Sequence, residues 1–589
     1  MNRNYTHWVA KYDRLSDADR AHIRRHVDSF SYTPLISVVM PVYNPPEWAF
    51  AAAVESVRNQ LYPHWELCIA DDASPAPHVA RLLVELATAE PRIRYVCRER
   101  NGNISAASNS ALTLVTGEFV ALMDHDDLLS EHALYHVAVA LNRNPSLDLI
   151  YSDEDEIDAA GRRHTPYFKT DWNPDLMHGH NMVSHLGVYR KSLLDAIGGF
   201  REGYEGSQDY DLALRGAGAT TPDRIHHIPE ILYHWRRNYG QDSFSEQHLG
   251  KCLQAAMRAI ADDLARRGDP GEVRPHPLAP NWSYVHRPIP TPAPLVSVIV
   301  PTRDRADLLQ RCADGILNGT NYPSIELLIV DHDSTEAETL TLFAQLKSDA
   351  RVRILPYSGP FNYSAINNMA VAAARGSIVA LVNNDVEVID PDWLSNMVAL
   401  ASLDGVGAVG AKLLYPDGRV QHGGVVLGVG GVANHFSHLL RRSSRGYFGR
   451  NILTSAVSAV TGACLLVRKS IYEDVGGLNA QDLPVAFNDV DLCLKIRRRG
   501  YRNVWTPFAE LYHHESASRG AENNPEKIAR FTQETNYMKR VWGECLVNDP
   551  YYNSNLSDQI GESFDLAFPP RTPTPWQTTA ATSNQDEAR

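Results

Sequence analysis

Short apolar runs that end in polar or acidic residues recur along this chain, each followed by apolar residues at helical spacing. LISVVMPVYN closes on Pro41 and Asn44, and Phe50, Val54, Val57 and Leu61 follow at intervals of three or four. ELCIADDAS ends in Asp71 and Asp72. Ile104–Val115 again has helical spacing and stops at Gly117, read as helix C-terminal punctuation. FVALMDHDDLL then runs from apolar residues into Asp124, Asp126 and Asp127. Strand, helix, strand, helix, strand predicts parallel pairing through right-handed crossovers, hence an α/β sheet. Ligand groups in such sheets gather beyond the carboxyl ends of the strands, where these acids fall. Asp71 or Asp72 could instead cap the next helix.

A less regular stretch follows. DLIYSDEDEID reads as a solvated acidic loop holding Asp153, Glu154 and Asp155. EGSQDYDLALRGAG sets Asp209 and Asp211 before a short helix, and ILYHWRRN is a strand with His234 at its tip. After a proline-rich run the pattern starts again. SVIVPTRD repeats SVVMPVYN, LLIVDHDS repeats LCIADDAS, and IVALVNND repeats FVALMDHD. FNDVDLCLKIRRRG repeats SQDYDLALRGAG, and ELYHHES repeats ILYHWRR. Ser297 thus answers Ser37, Asp331 answers Asp71, Asn383 answers Asp124, Asp489 answers Asp209 and His513 answers His234. One insertion of about twenty residues separates the later motifs. The chain reads as a tandem duplication. Its divisions are a polar helical lead-in (1–34, with Ser16 as an N-cap), a first domain (35–267), a proline-rich semi-rigid linker (268–294), a second domain (295–556) and a disordered tail (557–589).

Composition removes some functions. With 589 residues, 44% hydrophobic and 21% charged, the chain is ordinary globular protein of more than one domain. A net charge of −14 argues against nucleic acid or an anionic membrane as the main partner. Seven scattered cysteines without a C-x-x-C fit reduced thiols rather than a disulfide frame. The start, MNRNYTHWVAKYDRL, has no apolar signal core, and the uncharged run Ile452–Val467 is shorter than the ~20 residues that span a bilayer. A cytoplasmic location is expected.

The ordered motif set resembles family 2 of the inverting glycosyltransferases, with the GT-A fold. SVVMPVYN, ADDAS, MDHDD, GSQDYD and LYHW carry the resemblance in the first half. SVIVPTRD, VDHDS, VNND, FNDVD and LYHH carry it in the second. YSDEDEID and HHESASRG are similar to the two-domain bacterial enzymes of O-antigen or capsule assembly, including rhamnosyltransferase-like members. The resemblance implies two tandem nucleotide-binding GT-A domains, a UDP- or dTDP-sugar donor, and a lipid-linked or oligosaccharide acceptor. It also implies peripheral contact with the inner membrane face and with other polysaccharide assembly enzymes. It makes Asp126 a ligand of Mg²⁺ or Mn²⁺, with Asp124 on ribose or metal-bound water and His234 completing the shell. Asp71, with Asp72, would bind the donor's base, and Asp209 would be the general base. In the second half Asp331, Asp385, Asp489 and His513 take the same parts, with His514 a rival to His513.

The second half departs from this pattern. Asn383 replaces Asp124, which removes one charge while leaving a group that can hydrogen-bond ribose. It reads as an altered site, not a dead one. Asp211 reads as a helix N-terminal residue rather than a second base. The glycine-rich GGVVLGVGG (423–431) lacks the Lys-Ser/Thr of a phosphate loop and is expected to lie beside the acceptor site. A pyrophosphorylase would want a Gly- and Arg-rich loop where VYNPPEW and TRDRADL stand. A glycosidase would also use two carboxylates, but leaves the nucleotide-sized crevice unexplained. The remaining alternative makes one half catalytic and the other a degenerate acceptor-binding or dimerisation module.

Overall fold

The computed structural model describes residues 2–237, 248–514, 524–571 and 574–577. The HHESASRG stretch beyond His514 and the last twelve residues lie outside them. The first-half strands are β1 (Ile36–Val42), β2 (Trp65–Asp71), β3 (Ile93–Cys97), β4 (Phe119–Leu122), β5 (Leu128–Leu129), β6 (Leu149–Ile157), β7 (Arg163–Tyr167), β8 (Gly187–Arg190) and β9 (Ile225–Arg236). They form one sheet in the order β3-β2-β1-β4-β8-β6-β9-β5, with β7 on β6. The pairs β1–β2, β2–β3 and β1–β4 are parallel, as the alternation predicts, and β8 turns the sheet mixed by running antiparallel to β4 and β6. All seven residues of β1 and of β2 are buried, which is why these strands read as unbroken apolar runs.

A small hairpin intervenes: β10 (Glu272–His276) and β11 (Ala279–His286). The second half supplies β12 (Val296–Thr302), β13 (Ile325–His332), β14 (Val352–Tyr357), β15 (Ile378–Val382), β16 (Val386–Val388), β17 (Val406–Leu414), β18 (Val420–His422), β19 (Val425–Leu427), β20 (Ala433–His435), β21 (Ser455–Val457), β22 (Cys464–Arg468) and β23 (Arg502–His513). Its sheet order, β14-β13-β12-β15-β22-β17-β23-β16, is that of the first sheet strand for strand. The inserted residues build the β19–β20 hairpin, which has no counterpart among the described residues of the first half.

The repeat extends to a buried lock at the foot of each sheet. The Ser37 hydroxyl donates to Glu66 (2.5 Å) and accepts from Gly117 N–H (3.0 Å), and Ser297, Glu326 and Gly376 do the same at 2.5 and 2.8 Å. A Cβ on Gly117 would lie 2.5 Å from the Leu35 carbonyl oxygen, and one on Gly376 2.5 Å from that of Leu295. Gly117 is therefore demanded by this close approach. The helix before it, Asn103–Leu112, has already ended.

The flanking segments are docked: the expectation of a disordered tail is corrected, and the linker and the helical lead-in are packed on the two halves. The proline-rich stretch, expected as a semi-rigid linker, carries a hairpin packed on both halves: Ser283 N–H bonds Gly179 O (3.3 Å) and the His276 ring meets Ile452 O at 2.9 Å. The tail is docked as far as Gln577, with Phe564, Leu566 and Trp576 buried and Trp576 set among His132, Tyr135 and His136 of the first half. The lead-in is structural as well. Tyr5 and Trp8 of the helix Asn2–Tyr12 are buried in a core shared with second-half residues. Between the halves, Arg502 bonds Asp175 at 2.7 and 3.2 Å, and the Asn173 side chain pairs with both the N–H and C=O of Ala456.

Ser16 caps the helix Asp17–Asp28 with a full capping box closed by Asp19. Ser16→Ala is expected to cost about 1 kcal/mol. Hydrogen exchange should then quicken roughly fivefold in that helix alone.

Candidate active site

Asp71 and Asp331 stand at the carboxyl ends of β2 and β13, in register with Val42 and Thr302. Each accepts a hydrogen bond from a backbone N–H three residues on, Ser74 (3.1 Å) and Ser334 (3.0 Å), a turn that aims the strand end at the crevice. Neither Asp71 nor Asp72 caps the following helix, whose N-cap, Ala76, has no side-chain bond. Asp72 is occupied elsewhere, paired with Arg98 (2.8 Å) and accepting from Gly102 N–H (2.9 Å).

The three acids after β4 separate by environment. Asp127 is buried and saturated, with Tyr233 donating its hydroxyl (2.7 Å) and Arg236 its backbone N–H (2.7 Å). The Asp126 carboxylate hydrogen-bonds no other side chain among the described residues, while its backbone carbonyl accepts from the Arg236 guanidinium. Burial, then the neighbouring Asp126 and Asp124 charges, push the Asp127 carboxyl well up. Burial raises Asp126 too, with Asp124 adding to it. Asp124 faces His185, 3.7 Å away. Burial works against ionisation there, yet pairing with His185 holds the carboxyl below its usual range. Burial likewise opposes the imidazolium, but Asp124 and then Asp209 lift His185 to about 9. Asp209 lies within the same field. Its carboxylate accepts from Asn181 (2.7 Å), and burial together with Asp124 raises it although His185 opposes.

His234 does not join this cluster. It is buried on the opposite face of β9 from Tyr233 and Trp235, with Nδ1 on Asp155 (2.5 Å) and Nε2 on Ser130 (3.0 Å). With its nitrogens taken by Asp155 and Ser130, it is not presented to these acids, unlike the expected ligand role. His185 is the histidine that the first half brings to its acids. The acidic loop is corrected too: Asp153, Glu154 and Asp155 lie in strand β6. Asp153 is bound by His227 (2.8 Å) and Asn553 (2.8 Å), and Asp155 by His234, Tyr5 (2.6 Å) and Arg163 (2.5 Å).

The second half assembles its groups differently. Asn383, Gln421, His435, Asp489 and His513 line one cavity of about 160 Å³. The Gln421 oxygen meets His513 Nδ1 at 2.6 Å, so that nitrogen carries the proton. Nε2 then faces Asp385 Oδ1 (3.2 Å) and Asn383 Nδ2 (3.3 Å). His514 turns away to Glu387 (2.9 Å). The glycine-rich stretch is a hairpin, not a plain loop, and its return strand β20 brings His435 to the cavity. Asp489 accepts from Gly462 N–H (2.8 Å) across that cavity.

In both helix-start motifs the second acid is structural. Asp211 is fully buried between Arg201 and Arg215, and Asp491 takes Lys495 (2.9 Å) and the Trp542 N–H (2.9 Å). His185, Asn181, Gln421 and His435 escaped the sequence reading. Only the repeat could have signalled them, and none of the four sits in a repeated motif.

A divalent cation fits these donors in part. No group of three or more His, Cys, Asp or Glu side chains forms a ready cage among the described residues. A hard cation can nevertheless be held by one or two carboxylates, with the substrate's phosphates and water completing its shell. Asp126, raised by burial and like charge, is suited to that. So is the Asp385–His513 pair, where two electron-rich atoms 3.2 Å apart would be stabilised by a shared cation or proton.

Residues 37–198 match the family described as Glycosyl transferase family 2, and residues 292–530 match Glycosyltransferase like family 2. The chain belongs to glycosyltransferase family 2, in both halves, each with a GT-A fold. It is 52% identical over 526 residues to the uncharacterized protein y4gI of Sinorhizobium fredii, covering 89% of this chain and 58% of that one. It is 40% identical over 558 residues to the O-antigen biosynthesis protein RfbC of Myxococcus xanthus, covering 94% of this chain and 42% of the other. The chain thus spans about half the length of these relatives. A solved mannosyltransferase of Pyrobaculum calidifontis, in complex with GDP-mannose and Mn²⁺, is 20% identical over 45% of this chain and 68% of its own, with a TM-score of 0.32.

Proposed function

We propose that both halves are inverting glycosyltransferases that move sugars from nucleotide-sugar donors onto a growing surface polysaccharide. The observation that carries this reading is that each half brings two distant motifs together: the acid that starts a helix (Asp209, Asp489) meets the polar residue just beyond a buried strand (Asp124, Asn383). In the first half Asp209 lies in the field of Asp124 and His185, and in the second Asp489 shares a cavity with Asn383 and His513.

Asp209 or Asp489 takes the proton of the acceptor hydroxyl as its oxygen attacks the anomeric carbon. The bond to the donor's phosphate oxygen breaks on the opposite face, the nucleoside diphosphate leaves, and the anomeric centre inverts. A divalent cation held at Asp126, or at Asp385 with His513, would offset the charge developing on that leaving group. Asp71 and Asp331 would bind the donor's base, while Asp124 and Asn383 would contact its ribose. Burial helps the base, because a carboxyl raised toward working pH accepts a proton with less penalty. The O-antigen name of one relative supports a surface glycan as acceptor, on a lipid carrier or as a free oligosaccharide. No helix among the described residues is long and apolar enough to cross a membrane.

The test is donor turnover by the full chain after chelation, with UDP- and dTDP-sugars, with and without added Mn²⁺ or Mg²⁺. Nucleoside diphosphate should be released from at least one donor and only with metal present. Absence of release from every donor, or release indifferent to metal, overturns the reading.

A further inference from the structure

We propose that Lys169 and Asn553 are positioning residues for the first-half site, so that the last residues of the second half are a working part of the first. The inference rests on the reading of Asp209 and Asp124 given above.

The Lys169 side chain is wholly buried, and its three donors are all spent on one task. Its ammonium bonds Glu154 (3.0 Å), Val183 O (2.8 Å) and His185 O (2.7 Å). Glu154 in turn accepts from His185 N–H at 3.1 Å. His185 is therefore held by its N–H and its C=O through a single ion pair. The same short loop carries Asn181, whose amide donates to Asp209 and whose oxygen accepts from the N–H groups of Val183 (3.2 Å) and Ser184 (3.1 Å). One braced loop thus places the partners of both Asp209 and Asp124.

The brace is fixed from outside the first half. Asn553 is buried and donates to the Asp153 carboxylate (2.8 Å) and to Lys169 O (2.9 Å). Asp153 also accepts from Lys169 N–H (2.7 Å). Asp171 N–H bonds Pro550 O (2.8 Å), which ties the same strand-like segment a second time. The path from residue 553 to the first-half acids therefore runs through two buried side chains and one loop. A displacement of about 1 Å at reacting groups can cost up to ~100-fold in rate.

Asn553→Ala in the full chain tests this, with the Asp489→Asn background used to read the first site and the Asp209→Asn background to read the second. Turnover is followed as nucleoside diphosphate release from UDP-glucose, UDP-N-acetylglucosamine and dTDP-rhamnose with Mn²⁺. First-site kcat is expected to fall between about 10- and 100-fold with KM for donor nearly unchanged, while the second site keeps its rate. Asn553→Asp, which keeps shape and loses both donors, should do the same or worse; if it does not fold, the Ala variant decides. Equal slowing of both sites, a rise in KM alone, or no change in the first site overturns the proposal. If Asp209→Asn itself leaves first-site turnover intact, the reading of that site falls and this inference falls with it. If Asp209→Asn silences the site but Asn553→Ala does not slow it, only this inference falls.

Discussion

Asp209→Asn and Asp489→Asn should each slow one transfer step by at least about 100-fold and leave the fold intact, stalling glycan growth at two different products. Asparagine keeps the shape and an accepting oxygen, so Asn181 can still donate at position 209 and Gly462 at position 489. At position 209 the substitution also removes a carboxyl that burial and the Asp124 charge already disfavour in its ionised form. What it removes is the ability to accept a proton. The products should differ because the two pockets differ. One sets Asp124 and His185 beside the base, and the other sets Asn383, His513 and the His435 hairpin there. Groups placed to hydrogen-bond a particular hydroxyl discriminate strongly against substrates that lack it. Mixing the two variants should restore the full product, read by mass spectrometry of the glycan. Wild-type behaviour of Asp489→Asn would make the second half a binding module and end the two-activity proposal.

The fold was legible because a duplicated chain displays each element twice. Asp71 and Asp331 announced the same strand end, and the two sheets share one order. The failures have a common physical cause. A histidine follows LY in both halves, His234 in the first and His513 in the second, but a strand's faces alternate, and sequence does not say which face meets the crevice. In β9 Tyr233 and Trp235 took that face, whereas His513 of β23 lines the cavity. YSDEDEID reads as solvated because its acids outnumber any local base. Their partners are distant: Tyr5 is 150 residues from Asp155, and Asn553 is 400 from Asp153. The tail looked disordered for the same reason, since Trp576 finds its pocket 557 residues back, where its N–H bonds Asp19. Local pattern names an element; it does not name what covers it.

Asp211→Ala should destabilise the protein by about 3–5 kcal/mol although it touches nothing in the site. Asp209 and Asp211 are two apart on one helix, which turns them roughly 200° from each other. The first points to the crevice and the second into the core, fully buried. There Arg215 reaches it at 2.8 Å while Arg201 bonds it from the GGFRE turn. Arg215 is itself buried and also donates to Ile197 O and Gly199 O, so it cannot swing out to water when its partner is lost. Truncation leaves an uncompensated guanidinium in the core, which costs more than the pair ever contributed. Asp209→Asn carries no such penalty. Thermal melting of the two variants should therefore separate the acids: a drop of about 6 °C or more for Asp211→Ala, taking the lower end of the cost at ~2 °C per kcal/mol for a domain of this size, and little change for Asp209→Asn. Equal melting points would mean that Asp211 is not the structural member of the pair. The base assignment would then have to be argued again from both residues.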